Sequence, residues 1–178
     1  MTTNKKEFLT FELGKEEYAV EILRVQEIRG WENPDPLPNV PSYVKGVVDL
    51  RGTIVPIIDL REKFHLNVSY NVTTVVVVVH VLTSQGERVM GLVVDSVSDV
   101  QQFDVENLQP APDISASIDN QFILGLTTVF NGANQKEAIP GETKPKGRMV
   151  IVIDIDKLAS EGLIEHIEAA DDQIRGNG

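Results

Sequence analysis

Five consecutive valines at 75–79 lie inside residues 73–82, a segment with valine on both sides of an extended backbone. Successive side chains of a strand point to opposite faces, so such a strand is apolar on both faces and has to be covered on both. At an open edge it would template pairing with other chains. The expectation is therefore a central strand lying between two sub-barrels. The wider chain agrees with a β fold. It holds 24 Val and 15 Ile against 14 Leu and 8 Ala, and β-branched residues favour strands.

Short apolar runs bounded by turn residues mark the other strands. Residues 8–13 alternate and stop at Gly14, and residues 18–22 follow after a tight turn, which reads as a hairpin. Residues 25–29 form a further strand closed by Gly30. Pro34, Pro36, Pro38 and Pro41 make 33–41 an extended loop rather than a helix or central strand. Residues 46–50 and 54–58, separated by Arg51-Gly52-Thr53, suit a short hairpin in which Gly52 is free to take positive φ. Residues 59–64 fit one helical turn with Asp59 as N-cap. Residues 88–100 form one long strand or two broken ones, and 122–130 and 149–155 are the last strands. Between these, 131–148 is polar, rich in Gly, Pro and Lys, and reads as an exposed loop. Leu158, Leu163, Ile164 and Ile167 fit one face of a terminal helix. Residues 169–178 have little to bury and read as a frayed acidic tail. About ten short strands in 178 residues point to two small closed barrels rather than one large one.

Composition excludes several functions. There is no cysteine, hence no disulfide framework, thiolate metal site or thiol catalysis. The formal charge of −11 opposes binding to a phosphate backbone or an anionic membrane surface. The longest apolar stretch ends at His80, far short of the roughly 20 residues that a spanning helix needs. Lys5 and Lys6 lead into no apolar signal region. The expected location is cytoplasmic, with no membrane insertion and no nucleic-acid partner.

No catalytic constellation emerges. His65, His80 and His166 lie far apart, with no metal-ligand spacing. Gly141 and Gly147 flank a lysine-containing segment whose spacing does not match a phosphate loop. Asp49, Asp59, Asp95, Asp99, Asp154 and Asp156 recur beside strands. They could serve as a phosphoacceptor or a paired acid–base site, but a phosphoacceptor fold needs alternating strands and amphipathic helices, which are missing here. Strand-end and helix-cap chemistry is the simpler account. Two polar features stand out. Arg51 at a hairpin tip is either a solvated turn residue or an anchor offering five donors in a fixed fork. Period two puts Val25, Glu27 and Arg29 on one strand face, which is either a plain barrel exterior or a face suited to a partner.

Three segments are specific in combination: Val25-Gln26-Glu27-Ile28-Arg29-Gly30, Gly46-Val47-Val48-Asp49-Leu50-Arg51-Gly52 and Val55-Pro56-Ile57-Ile58-Asp59-Leu60-Arg61. With residues 8–13, 41–64, 91–100, 108–112 and 149–158, they make the chain resemble the CheW family of chemotaxis coupling proteins from about Glu7 to Leu158. The resemblance implies a mainly β fold of two SH3-like five-stranded barrel subdomains sharing a core, with a short C-terminal helix. It places a CheW-like domain over 7–168, with a subdomain boundary near 70–85.

The resemblance also implies a non-catalytic protein without cofactor or metal. Such a protein couples the cytoplasmic tip of methyl-accepting chemoreceptors to the regulatory domain of the histidine kinase CheA within receptor arrays. Arg51 looks like the family's coupling arginine. Glu27, Val25 and Arg29 fall in its interaction strand. Gly46 matches a glycine whose replacement would disturb coupling through packing, and Val100 matches a position linked to receptor contact. An adaptor of the same fold serving a non-chemotaxis kinase pathway, or a piece of a larger signalling protein, would look alike. The start at Met1, without an ATP-binding region or receiver-like half, favours a free-standing coupler. Residues 131–147 exceed the short turn expected there and read as a tolerated insertion.

Overall fold

The computed structural model describes residues 5–84, 86–110, 122–129 and 147–159. It contains ten strands and two short helices among those residues: β1 Lys5–Leu13, β2 Glu16–Glu21, β3 Val25–Gly30, β4 Val44–Leu50, β5 Thr53–Asp59, α1 Leu60–Lys63, β6 Val75–Thr83, β7 Gly86–Val94, β8 Ser96–Asp104, β9 Ile123–Val129, β10 Arg148–Ile153 and α2 Ile155–Ala159. They form two five-stranded sheets, ordered β3-β6-β7-β5-β4 and β8-β1-β2-β10-β9. The first is contiguous in sequence and is termed the central barrel. The second joins the N-terminal hairpin to the C-terminal strands and is termed the terminal barrel.

The chain changes sheet at the 3-10 turn Ile22–Arg24 and again at Asp95. It does not do so at 70–85, where β6 is an inner strand of the central barrel. A single boundary fails because β2 pairs in parallel with β10, which draws the N-terminal hairpin into the sheet built by the C-terminal strands.

β6 behaves as its valines dictate. Val76 and Val78 pack inside the central barrel with Leu50, Val55, Ile57 and Val93. Val77, Val79 and Val81 face the opposite way, into a core that also takes Leu9, Phe11 and Tyr18 from the terminal barrel. Phe8, Ala19, Phe103, Val150 and Val152 fill the terminal barrel's own interior. The hydrophobic interior is thus three-layered, with the middle layer shared. The 88–100 segment is two strands broken at Asp95, and Asp59 caps α1 by accepting from the Arg61 N–H at 3.0 Å. Leu158 is buried on α2. Leu163, Ile164, Ile167, most of the 131–148 loop and the acidic tail lie outside the described residues.

The strand registers disclose a repeat that the sequence hides. β3, β4, β5, β6 and β7 correspond in pairing to β8, β9, β10, β1 and β2. Both barrels have one parallel pair, β5 with β7 and β10 with β2. Both close through one isolated bridge, Asp35 to Val47 and Gln109 to Leu126. Both have a glycine just before the bridging residue, Gly46 and Gly125, against which the bridging chain packs. The two barrels are therefore one topology used twice, with the second copy circularly permuted.

Candidate interaction site

Arg51 and Gly52 form the two-residue loop between β4 and β5, with Leu50 and Thr53 paired across it. Their φ values are +53° and +88°, and a turn with positive φ at both central positions matches the right-handed twist of the strands it joins. Gly52 accepts this freely. Arg51 does not, because a side chain in the left-handed region costs about 1–2 kcal/mol. The Asp49 carboxylate accepts from the Gly52 N–H at 2.8 Å and fixes the turn.

The Arg51 side chain is 72% exposed and donates from Nη2 to Glu27 Oε1 at 2.9 Å. Glu27 lies on β3, at the opposite edge of the sheet from β4. The ion pair therefore spans the seam where the central barrel closes. Arg29 Nη1 approaches Glu27 at 3.8 Å from the same strand. Beside them runs a cleft of about 240 Å³ lined by Arg29, Glu32, Asp35, Asp49 and Leu50 among others. Its charged lining is Glu32, Asp35 and Asp49 with Arg29 as the cation.

Val25 does not join this face. It pairs with Val79, whereas Glu27 pairs with Val78, so Gln26 is an extra residue that shifts the register. A β-bulge of this kind reverses which way the following side chains point. Val25 packs on the shared core, while Glu27 and Arg29 stand on the other side, above Val78 and Val76. Ile28, paired with Val77, lies on the side of Val25 rather than of Glu27, and on this edge strand it is 45% exposed.

Gly46 lies behind the site. At φ +137° a Cβ would overlap the Asp35 carbonyl oxygen and stand 2.6 Å from its carbon. This glycine lets the proline-rich segment lie against β4, where Asp35 and Val47 exchange backbone hydrogen bonds of 2.9 Å. Val100 is in the other barrel, on edge strand β8, opposite Leu9. The repeat relates it to Ile28: each follows a bulge and then an acid, Glu27 in β3 and Asp99 in β8, and each is 45% exposed. Sequence reading missed Ile28 because alternation alone does not show that an isoleucine on an edge strand is left half uncovered.

A second missed group is Arg61, fully buried on α1. Its Nε and Nη2 donate to the two oxygens of Asp59, both at 2.9 Å, and Nη1 donates to Asp95 at 2.9 Å. Burial acts to lower its pKa, but the bonds to Asp59 and Asp95 outweigh that, so the guanidinium stays charged. Tyr70 donates to Asp59 at 3.0 Å, stacks on Trp31 and lies over Arg61. Burial, and then the Asp59 charge, push its phenol up to about 12. An arginine two residues after an aspartate in an apolar run was the available signal.

The recurring aspartates divide as cap chemistry predicts. Asp49, Asp59, Asp95, Asp99, Asp154 and Asp156 each accept a backbone N–H. Among the described residues no group of three or more His, Asp or Glu is arranged to hold a metal, and no helix is long and apolar enough to cross a membrane.

Comparison with known proteins follows this geometry. The CheW-like domain family matches residues 7–162. A chemotaxis protein CheW of Klebsiella aerogenes is 44% identical over 156 residues, covering 87% of this chain and 82% of that one. A CheW of Rhizobium meliloti is 31% identical, over 89% of this chain and 90% of its own. The crystal structure of the scaffolding protein TtCheW from Thermoanaerobacter tengcongensis superposes with a TM-score of 0.65 at 25% identity, covering 84% of each chain.

Proposed function

Because this chain belongs to the CheW family of chemotaxis scaffold proteins, we propose that it bridges methyl-accepting chemoreceptors to the regulatory domain of the kinase CheA, beneath the receptor-bearing membrane and without catalysis or cofactor. The observation that carries this reading is Arg51. It sits in a left-handed turn that disfavours a side chain, mostly exposed, and among the described residues its ion pair is with Glu27. An exposed pair of this kind is worth about 0–1 kcal/mol, which no more than offsets the backbone strain. Arg51 therefore adds little to folding, and strain held without gain in stability is what a contact residue shows.

Glu27, Arg29 and Arg51 make the contact surface of the central barrel, Ile28 stands on the other face of the same edge strand, and Gly46 holds the segment beneath. Val100, on the related strand of the terminal barrel, makes a second. A module with two similar ends can join partners in sequence, and head-to-tail contacts close into rings when the rotation allows. Individual contacts can be weak because linkage within an array multiplies them.

Calorimetric titration into the regulatory domain of the same organism's CheA tests the reading. Saturable binding near one to one, lost in Arg51→Ala while that variant stays folded, is the expected result. Absence of binding with both proteins folded would move the module to another kinase pathway. An unfolded Arg51→Ala would show that a structural residue had been mistaken for a contact.

A further inference from the structure

The repeat relates the two points at which the chain passes between barrels, and both are held by an ion pair. At the first, Arg24 donates to both oxygens of Asp156, at 3.0 and 2.7 Å, and also to the His80 carbonyl at 3.2 Å. Asp156 in turn accepts from the Leu82 N–H at 2.8 Å. At the second, Asp95 accepts from Arg61 at 2.9 Å and from the Gly14 N–H at 2.7 Å. Aligning the registers puts Arg61 of α1 in the place of Asp156 of α2, while Asp95 aligns with Leu23, one residue before Arg24 in the matching crossover. Charge is reversed between the two. In one, the helix supplies the cation and the crossover the anion; in the other the roles are exchanged. Each cluster also reaches a strand or hairpin turn of the opposite barrel.

The clusters differ in protection. Arg61 has a fully buried guanidinium shared between the buried Asp59 and Asp95, itself 27% exposed, whereas the Arg24 and Asp156 side chains are 26% and 32% exposed and have one carboxylate between them. Apolar contact between the barrels is non-directional, so these directional bonds set the angle. We infer that the barrels are joined by one rigid and one compliant clamp: the Asp95 crossover acts as a pivot, and the Arg24–Asp156 pair is the hinge that yields when the barrels turn. Partner binding that spans both barrels would then act on that angle through the compliant side.

The absence of cysteine makes a clean test available. Thr53→Cys on β5 and Gln102→Cys on β8, both exposed, put one nitroxide on each barrel of the full chain for pulsed dipolar distance measurement. The expected distribution is narrow at low salt. It broadens at about 1 M salt, where screening acts over ~3 Å. Arg24→Ala should broaden it at low salt and remove the salt response. Arg24→Asp with Asp156→Arg should narrow it again. Arg148→Ala, which breaks a pair with Glu17 at 3.3 Å within the terminal barrel, should change nothing. An unaltered distribution in Arg24→Ala, or an equal change in Arg148→Ala, would overturn the inference. So would loss of folding in Arg24→Ala, since a compliant clamp is one whose loss the fold survives. None of these outcomes depends on kinase binding, so failure here leaves the coupling reading to its own test.

Discussion

The central and terminal barrels share strand order, the parallel pair, the bridging strand and the bulge on the leading edge strand, yet they spend polar groups differently. The central barrel closes its β4–β5 hairpin in two residues and buries Arg61 between Asp59 and Asp95. In the terminal barrel the β9–β10 connection spans residues 130–147, and the place of Arg61 is taken by the half-exposed Asp156. A repeated backbone thus fixes where a contact or clamp can sit, while side chains decide which copy is rigid and which is open to change.

Substitutions at related positions can break that comparison. The largest effect is expected at Arg61. Arg61→Met leaves Asp59 buried without its cation and should lose about 3–5 kcal/mol of stability, whereas Arg24→Ala, at the related crossover clamp, should lose no more than about 1 kcal/mol. Urea unfolding of the two variants checks this, and equal losses would show the clamps to be alike. Next is Gly46→Ala, where both positive φ and the Asp35 backbone resist a Cβ. About 3 kcal/mol is expected from strain and overpacking together. The related Gly125→Ala meets Leu108 Cβ at 2.7 Å and the Gln109 carbonyl at 2.9 Å without positive φ, and should lose about 1–2 kcal/mol. Thermal denaturation ranks them.

Arg51→Gly should leave stability within about 0.5 kcal/mol, since relief of the turn offsets the lost pair, while binding to the kinase regulatory domain falls. A clear stability loss would make Arg51 structural. The smallest effect concerns Tyr70. Its folded pKa of about 12 lies above the usual 10.0, so its contribution is complete below about pH 10 and is lost as pH rises through about 12. Tyr70→Phe should lack that alkaline decline in unfolding free energy.

Much of this architecture was legible from residues alone. The double-faced valine strand, the hairpins and the Asp59 cap all follow from local pattern, because period and turn chemistry act over a few residues. What was not legible depends on register. Strict alternation puts Val25 with Glu27 and Arg29, and one extra residue at Gln26 reverses it. The crossover points, the Arg61 cluster and the equivalence of Ile28 with Val100 join residues far apart in sequence. Val77 and Leu9 occupy related places without sharing a motif, so the repeat is written in pairing rather than in composition.

The circular permutation has a consequence for biosynthesis. β3 to β7 follow one another, so the central barrel has all its strands once residue 94 has left the ribosome. The β1–β2 hairpin is made first, yet its neighbours β8 and β10 come later, with Thr10 and Asp99 bonded across 89 residues. Non-local pairing of this kind closes slowly. Until β8 and β10 are made, the apolar face of this hairpin on Phe11 and Tyr18 has only the core it shares with β6 to bury it. Within the two barrels, the first-made hairpin belongs to the sheet that is completed last.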